Sequence, residues 1–554
     1  ASGDITLLPQ KTNLIYQTSL IYCFNDEQSL YYIDKEFNFY AFHIPTQKNE
    51  FIANLGKEIQ ERGKISSIVH YHNSYFVGFL MDGILLLEKQ KETDHYQIQS
   101  LPINSGVFCL KKDRFQDVVW IGTDGQGVYL YSNPLYSIKS MVLSNYTEKI
   151  ERPVRAIYLD DECTFWVGTK GNGILKIYDY EFDKNISDCR AEVLTTSNSA
   201  LSSNAVYCFA KSHRNLLWIG DEEGLTYYSY REKRIKSIPI RIGNEDFKYI
   251  HDIYETADSE LWLASVGMGV VKARIAGTSD NPVIVDAQRY IINDGELGSN
   301  YFFTIYAENE ANLLFGNKGY GVFRYNETTN GLEPVSTHKY ENMTLNNILA
   351  ISKDSSNNYL FGTSYGLIKY TSETSYQLFN AKNGFLNNTI HAILRNSSDN
   401  FWLSTNLGLI NFDTKRNVFR SYGFGDGLKV VEFSDGAAFR DSRTGTLFFG
   451  GINGVVAIRA DGRPEQLYMP PVYFDKLSIF GEQYNLGEFL TRKKETEVLN
   501  LQYDQNFFSV SFASVDYLNG NNRTYFYKLK GLSDQWVNNG SESGVSFTNM
   551  APGE

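Results

Sequence analysis

The chain has 554 residues, of which 15% are aromatic and only 12 are proline, and its formal net charge is −12. This length exceeds one ordinary domain, and many Tyr and Phe with little Pro favour β-strands. The acidic balance argues against nucleic-acid binding, which needs a basic face. The sequence has no apolar run of about 18 residues, so no membrane-spanning helix is predicted.

The chain begins with a weakly marked unit over residues 22–42 and continues with a phrase that recurs at nearly constant spacing. The phrase reads Trp-x-Gly-Thr or Trp-x-Gly-Asp, as at Trp120, Trp166 and Trp218, and a second glycine follows it closely. A strand–turn–strand phrase with a period of 42 to 52 residues predicts the blades of a β-propeller. The first glycine, or the residue that replaces it, is the marker of each repeat: Gly78, Gly122, Gly168, Gly220, Ala264, Gly316, Gly362, Ser404 and Gly450.

Each repeat also carries signals for a strand that precedes the phrase. The position sixteen residues before the marker holds Arg152 and Lys248 in two repeats and asparagine in four others: Asn204, Asn300, Asn346 and Asn388. An apolar strand, a polar turn, the phrase and two further strands follow, so four strands are predicted per repeat. We interpret the asparagines as turn formers that bond their own backbone.

Ten repeat units are too many for one ring, because propellers usually close with about four to eight blades. We predict a partial N-terminal propeller of about three blades over residues 1–144. A seven-bladed propeller is predicted over residues 145–465. The alternative is a ring boundary shifted by one blade.

The pattern changes after Arg463. The runs that begin at Phe507 and Tyr525 alternate apolar and polar residues between Gly and Asn turns, which predicts an immunoglobulin-like β-sandwich over residues 466–554. Because no closing strand follows the last turn, we expect this sandwich to be incomplete at its C-terminal end. The predicted fold class is all-β, with seven-bladed β-propellers followed by an immunoglobulin-like β-sandwich.

Hairpin geometry predicts that the residues between the paired glycines and those at the strand entrances crowd one face of the ring. Aromatic rings stack on sugar faces, and Asn, Arg and Lys take hydroxyls or carboxylates, so we expect an oligosaccharide ligand, acidic or sulfated. No catalytic residue, metal site or cofactor is predicted. The candidate ligand-binding residues are Arg152, Arg155, Lys170, Lys248, His251, Lys318, Tyr320, Tyr365, His391 and Asn406.

Three segments carry a family resemblance. Residues 201–225, with Leu201-Ser-Ser-Asn and Leu217-Trp-Ile-Gly, resemble the two-component-regulator propeller repeat, and residues 425–454 resemble its last blade. The segment from Tyr525-Phe-Tyr-Lys-Leu to residue 554 is similar to the Y_Y_Y domain. This order of domains resembles the sensor half of Bacteroides-type hybrid two-component systems.

The resemblance implies a periplasmic, glycan-sensing region of a membrane-anchored protein that controls polysaccharide utilisation. It further implies a downstream histidine kinase and a homodimer formed through the sandwich and the membrane-proximal region. In that family two complete seven-bladed propellers precede the sandwich, whereas this chain has about ten blades. No kinase activity is assigned to the chain itself.

Two other function classes stay open. A propeller polysaccharide lyase or hydrolase would need a convergent set of side chains, which Arg155, His251, Tyr320 and His391 could supply. A protein-interaction scaffold would need only the propeller surface. Binding of sugars without turnover distinguishes the sensor from both.

Overall fold

The fold is described from a computed structural model. It describes residues 20–26, 28–89, 95–132, 136–145, 150–292, 300–335, 346–372, 375–385, 387–426, 428–460, 470–493, 496–517, 525–531, 536–540 and 542–550. The chain divides into two compact units, of which the first holds residues up to 134 with two short later segments, 464–472 and 514–520, and the second holds the rest.

The first unit contains three antiparallel sheets, called sheets 1 to 3 in chain order. Sheet 1 has β1 (Leu20–Asn25), β2 (Ser29–Asp34), β3 (Asn38–His43) and β4 (Lys48–Asn54), and helix α1 (Gly56–Arg62) follows. Sheet 2 has β5 (Ile65–Tyr71), β6 (Ser74–Phe79), β7 (Ile84–Lys89) and β8 (Tyr96–Ser100). Sheet 3 has β9 (Val107–Lys112), β10 (Val118–Thr123) and β11 (Val128–Ser132).

The second unit opens with β12 (Tyr136–Val142) and continues with sheets 4 to 6. Sheet 4 has β13 (Val154–Leu159), β14 (Phe165–Thr169), β15 (Ile174–Ile177) and β16 (Ala191–Leu194). Sheet 5 has β17 (Val206–Lys211), β18 (Leu216–Asp221), β19 (Leu225–Ser229) and β20 (Arg234–Ser237), followed by the short hairpin β21 (Arg241–Ile242) and β22 (Glu245–Asp246). Sheet 6 has β23 (Ile250–Glu255), β24 (Glu260–Ser265), β25 (Gly269–Thr278) and β26 (Asn281–Tyr290).

Sheets 7 to 10 repeat this order. Sheet 7 has β27 (Phe302–Asn309), β28 (Asn312–Asn317), β29 (Gly321–Asn326) and β30 (Gly331–Pro334), and sheet 8 has β31 (Ile348–Lys353), β32 (Tyr359–Thr363), β33 (Gly366–Ser372) and β34 (Ser375–Phe379). Sheet 9 has β35 (Ala392–Arg395), β36 (Asn400–Thr405), β37 (Gly408–Asp413) and β38 (Val418–Tyr422). Sheet 10 has β39 (Phe433–Arg440), β40 (Leu447–Gly451) and β41 (Gly454–Ala460), together with β12. Short 3-10 helices cover Leu143–Asn145, Ile186–Asp188, Ala381–Asn383 and Phe424–Asp426.

The last strands form one sheet in the order β43, β42, β46, β49 and two separate hairpins. Their bounds are β42 (Val472–Ile479), β43 (Glu482–Tyr484), β44 (Leu490–Lys493), β45 (Thr496–Leu499), β46 (Phe508–Ser514), β47 (Tyr525–Tyr527), β48 (Val537–Gly540) and β49 (Gly544–Phe547), with helix α2 (Leu486–Phe489) between β43 and β44. Leu477, Ile479 and Val510 form the small buried core of this region.

Sheets 4 to 10 are arranged in a ring. The first strand of each sheet lies beside the first strand of the next, and β39 of sheet 10 lies beside β13 of sheet 4. The strand β12 pairs with β41 along its whole length, from Tyr136 opposite Ala460 to Val142 opposite Gly454. A strand from before sheet 4 therefore completes the sheet that ends the ring, as in β-propellers.

Packing between adjacent sheets explains the glycine at the marker position. A Cβ atom at Gly168 would lie 2.8 Å from Cγ1 of Val206 in the next sheet, and one at Gly450 would lie 2.6 Å from Cγ1 of Val154. Carbon atoms do not approach so closely, so glycine is what allows adjacent sheets to touch. The contact between Gly450 and Val154 repeats this interlock between the last sheet and the first.

The tryptophan of the phrase belongs to the core of its sheet. The side chains at Trp166, Trp218 and Trp402 are fully buried. The Nε1–H of Trp166 donates to Oδ2 of Asp160, in the turn before the strand, at 2.9 Å. The repeated phrase is therefore scaffold rather than a binding motif.

The all-β, propeller-type fold predicted from the repeats is confirmed. The strand β12 lies within residues 1–144, but its pairing places it in sheet 10 and therefore in the second unit. The other predicted domain bounds, the blade counts and the immunoglobulin-like class of residues 466–554 stay predictions. Among the described residues, no helix has the length and apolarity needed to cross a membrane.

Candidate functional site

Seven residues occupy the same register near the start of the first strands of sheets 4 to 10. In five of these strands the pairing shifts by one residue, which is a β-bulge, and a longer irregularity lies within β39. In sheet 9 the residue in question lies directly before β35. A bulge re-aims the extra side chain. We call this set the central ring: Arg155, Tyr207, His251, Phe303, Leu349, His391 and Asp435.

One side of the central ring is aromatic. The rings of Tyr207 and His251 are stacked, with centroids 4.4 Å apart and an interplanar angle of 18°. The ring of Phe303 meets His251 edge-on at 5.6 Å and 85°. Burial and the nearby cation Arg155 lower the pKa of His251 to about 3, so its imidazole is neutral at pH 7. This side presents a neutral aromatic surface.

The other side of the central ring is charged. Nη1 of Arg155 lies 3.8 Å from Oδ2 of Asp435, and Nδ1 of His391 lies 2.5 Å from Oδ1 of the same carboxylate. Nε2 of His391 lies 2.6 Å from Oδ1 of Asn406. Burial opposes ionisation of Asp435, but the bond from His391 and the charge of Arg155 outweigh it and hold its pKa below the usual value.

Arg155 joins the two sides. Its guanidinium carbon lies 5.9 Å from the centroid of Tyr207, within the range of a cation–π contact. Its Nε atom is buried and, within the described residues, has no hydrogen-bond partner. The Nε–H donor of Arg155 is therefore unused, while Nη1 of the same guanidinium faces Asp435.

Two of the predicted cations lie in or beside the loop that follows the marker Gly168. The N–H of Lys170 donates to the carbonyl oxygen of Pro153 at 2.9 Å, and the charge of Lys170 contributes to the lowered pKa of His251. Arg152 is exposed and its side chain runs beside the same loop. These two cations, unlike Arg155, face no carboxylate among the described residues.

Two other predicted cations have neighbours of their own. Nζ of Lys248 lies 2.5 Å from Oε2 of Glu223, so its charge is offset on the surface. Nζ of Lys318 lies 5.8 Å from the ring centroid of Tyr301. Of the predicted cations, Arg155 belongs to the central ring and Lys170 acts on His251 through its charge, whereas the charge of Lys248 is offset by Glu223.

The two predicted tyrosines contribute to the sheets. Tyr320 packs against a buried cluster of sheets 6 and 7, and Tyr365 packs against one of sheets 7 and 8. Both are partly buried. We therefore expect them to shape the loops rather than to form the aromatic surface of the site.

The repeated asparagines tie loops together. Oδ1 of Asn204 accepts from the N–H of Thr196 at 2.9 Å, and its carbonyl oxygen accepts from the N–H groups of Gly171 and Gly173. Asn300 bonds Ile292, eight residues earlier, in the same way. Their role in turns is as predicted, but the partner is a preceding loop rather than their own backbone, because the chain makes a wide turn there.

Three central-ring residues are among the sequence-predicted candidates, namely Arg155, His251 and His391, and Asn406 contacts the third. The sequence did not predict the other four: Tyr207, Phe303, Leu349 and Asp435. A register signal exists for the first three, because each stands thirteen residues before its marker, as the predicted ones do. Asp435 does not obey this spacing, since the irregularity in its strand is longer.

The central ring combines aromatic faces with a carboxylate, a guanidinium and an imidazole, and the amide of Asn406 lies beside it. This mixture suits a sugar, whose apolar faces stack on aromatic rings and whose hydroxyls bond charged and amide groups. No group of three or more His, Cys, Asp or Glu side chains that could hold a metal occurs in the described part of the chain.

No family model matches the chain. Among curated proteins it is similar to Histidine kinase P4 of Formosa agariphila, with 24% identity over 449 residues. The alignment covers 78% of this chain and 28% of that kinase, so the chain spans little more than a quarter of the length of this relative.

Among solved structures the chain is similar to the extracellular domain of the putative hybrid two component system BT3049 from B. thetaiotaomicron. The identity is 23%, the TM-score is 0.55, and the match covers 97% of this chain and 74% of that one. The extracellular domain of BT4673 from the same organism matches with 18% identity and a TM-score of 0.49, covering 97% and 72%. The predicted resemblance to the extracytoplasmic part of hybrid two-component systems is confirmed, and the likeness to BT3049 shows a shared fold.

Proposed function

We propose that this chain is the ligand-sensing region of a hybrid two-component protein and that it binds an oligosaccharide at the central ring. The observation that carries the proposal is the junction of a stacked Tyr207–His251 pair with Arg155, Asp435 and His391. The aromatic rings can stack on an apolar face of a sugar, and the charged groups beside them can bond its hydroxyls.

The proposed ligand is acidic or sulfated. Arg155 carries an unused buried donor, and Lys170 and Arg152 add positive charge nearby. A carboxylate or sulfate of the sugar would pair with Arg155, whose other contact is the carboxylate of Asp435. The tests must therefore separate charged from neutral oligosaccharides.

The remaining parts of this proposal rest on the similarity alone. They are the relay to a downstream histidine kinase, anchoring in a membrane, and dimerisation through the last β-region. A ligand can drive such a relay only if it binds one conformation better than another.

Calorimetric titration of neutral, uronate-containing and sulfated oligosaccharides tests the proposal. We expect at least one charged oligosaccharide to bind, and Tyr207→Ala to weaken that binding by about tenfold, the loss of roughly 1.4 kcal/mol of stacking. Arg155→Ala should weaken charged ligands more than neutral ones. Arg241→Ala is the matched control, because Arg241 is exposed and paired with Asp246 away from the ring.

The outcomes separate the function classes. Binding without turnover supports the sensor, whereas cleavage of the bound sugar would favour a propeller lyase or hydrolase that uses Arg155, His251 or His391. Absence of binding across the panel would favour a protein-interaction scaffold. If Tyr207→Ala and the parent bind the oligosaccharide with equal affinity, the sugar does not bind at the central ring.

A further inference from the structure

The outer edge of sheet 5 carries a groove that the central ring does not explain. Its last strand, β20, has a neighbour on one side only in the described sheet. A groove of about 680 Å³ follows this free edge. Its walls are β16 with residues 198–200 on one side and the tip of the β25–β26 hairpin on the other, and no residue of the central ring lines it.

The backbone of β20 offers hydrogen-bonding groups to this groove. The N–H of Ile238 donates to the carbonyl oxygen of Leu225, and β20 continues antiparallel to β19 in that register. Bonded and non-bonded pairs alternate along such a ladder, so Lys236 turns its backbone toward β19 and Ile235 and Ser237 turn theirs away. Two N–H and two C=O groups therefore face the free edge.

One wall of the groove is a built feature. The strands β25 and β26 have ten residues each, longer than any other strand in the described part of the second unit. Their tip is fastened to sheet 5, because Nη1 of Arg231 lies 2.6 Å from Oδ2 of Asp280 and Nη1 of Arg214 donates to the carbonyl oxygen of Gly277 at 3.2 Å. The hairpin is thus held beside β20.

The groove carries excess positive charge in a chain of net charge −12. The two cations of β20 share a single carboxylate, Glu232. Lys233 is exposed and has no ion pair or hydrogen bond in the described part of the chain. The carboxylate of Glu192 at the other wall lies 3.6 Å from Nζ of the buried Lys176, which offsets its charge.

We propose that this groove binds an extended, acidic peptide segment of a partner protein, which adds to β20 as a further strand. Main-chain bonds to Ile235 and Ser237 supply the affinity of such strand addition, and the cations select an acidic sequence. Like charges on two copies of β20 repel, which disfavours pairing of this edge with itself. A peptide strand offers amide donors and acceptors that repeat every ~6.8 Å, the two-residue repeat of an antiparallel strand. An oligosaccharide lacks this repeat, so the edge of β20 favours a peptide.

The test uses the full chain and a fluorescein-labelled peptide of four Glu-Val repeats, read by fluorescence polarisation. We expect saturable binding that weakens about tenfold or more in Lys233→Glu and in Ser237→Pro, which removes an outward N–H. Lys415→Glu is the matched control, because Lys415 is exposed in the corresponding turn of sheet 9, and it should bind like the parent. Thermal unfolding checks that each variant is folded.

A second measurement keeps the proposal testable if Ser237→Pro does not fold. The same peptide with N-methyl groups on alternate residues keeps its charges but lacks the N–H donors that pair with β20. It should therefore lose most of its affinity for the groove. Equal binding of the N-methylated peptide, or no binding of the parent peptide, would overturn the proposal. Binding of an oligouronate in place of the peptide, abolished by Lys233→Glu, would overturn it in favour of a saccharide. Since the groove shares no residue with the central ring, failure of sugar binding at the ring leaves this result unaffected.

Discussion

At the residue scale, methyl groups of its own sheet and of the next sheet limit the marker position to small residues. A Cβ atom at Gly316 would lie 2.7 Å from Cγ2 of Thr304 and 2.9 Å from Cγ2 of Ile348. Both atoms belong to β-branched side chains, which have little freedom to move away. The repeat therefore keeps a small residue there for packing.

We expect Gly316→Ala to lower the free energy of unfolding by about 1–3 kcal/mol, the usual cost of overpacking. Urea unfolding followed by tryptophan fluorescence measures it. Gly331→Ala is the control, because its Cβ would meet no atom closer than 3.8 Å. Equal losses in the two variants would contradict the packing explanation, because the reduced flexibility of the unfolded chain that both variants share stabilises the fold rather than destabilising it.

His251 makes stability depend on pH. Its pKa is about 3 in the folded chain against an ordinary value of 6.5, so folding favours the neutral imidazole. This stability is fully present above pH 6.5 and is lost as the pH falls from 6.5 toward 3, because the unfolded chain binds the proton first.

We expect His251→Phe, which keeps the ring between Tyr207 and Phe303, to reduce the loss of unfolding free energy between pH 7 and pH 5 by roughly 1–2 kcal/mol. Urea titrations at both pH values measure this difference. The exposed His213 serves as the control, and His213→Gln should leave the pH dependence of the parent unchanged. A parent-like slope in His251→Phe would contradict the assignment.

The site was predictable only in part, and the reason lies in particular residues. Repeat spacing brought out Arg155 and His251, because both are polar residues at a strand entrance. It passed over Tyr207 and Phe303, which look like core residues until a bulge re-aims them. The ion pair of Lys248 with Glu223 also escaped prediction, since it depends on loop geometry rather than on spacing.

At the scale of elements, the first three strands of each repeat follow the sequence closely, whereas β12 does not. The strand β12 carries neither the repeated phrase nor a marker, and its partner β41 lies at the far end of the ring. A repeat pattern predicts pairing only between strands that are adjacent in sequence. It therefore cannot predict a pairing between distant segments such as β12 and β41. Met141 is the fully buried anchor of this strand.

We expect Met141→Ala to cost about 2–5 kcal/mol of unfolding free energy, as for other large core side chains that leave a cavity. Denaturant unfolding monitored by the tryptophans of sheets 4 to 9 reports on it. Met81→Ala is the matched control, because Met81 is 81% exposed, and we expect little change. A small effect of Met141→Ala would mean that β12 contributes little to closing the ring.

At the scale of the whole molecule, we expect the closed ring to fold as one element. Its seven sheets lie within residues 136–460, and both ends meet in sheet 10. A fragment that starts after β12 would leave the edge of β41 unpaired, and an unpaired strand edge promotes aggregation.

We expect a fragment of residues 136–460 to be monomeric and to unfold cooperatively. A fragment of residues 150–460, which lacks β12, should melt several degrees lower and associate. Size-exclusion chromatography and circular dichroism during heating measure both properties. Identical behaviour of the two fragments would contradict the closing role of β12.

The interlock of marker glycines with the following sheet has an evolutionary consequence. In sheets 4 to 10, each marker glycine is matched to a side chain of another repeat, as Gly168 is to Val206 and Gly450 is to Val154. A larger residue at the marker becomes tolerable only when its counterpart shrinks. Among relatives, substitutions at the marker should therefore co-vary with residues of the next repeat as well as with the residue opposite the marker in its own sheet, such as Thr304 opposite Gly316. The pair Gly450 and Val154 should link the two most distant repeats of the ring, so that sequence variation alone would record where the circle closes.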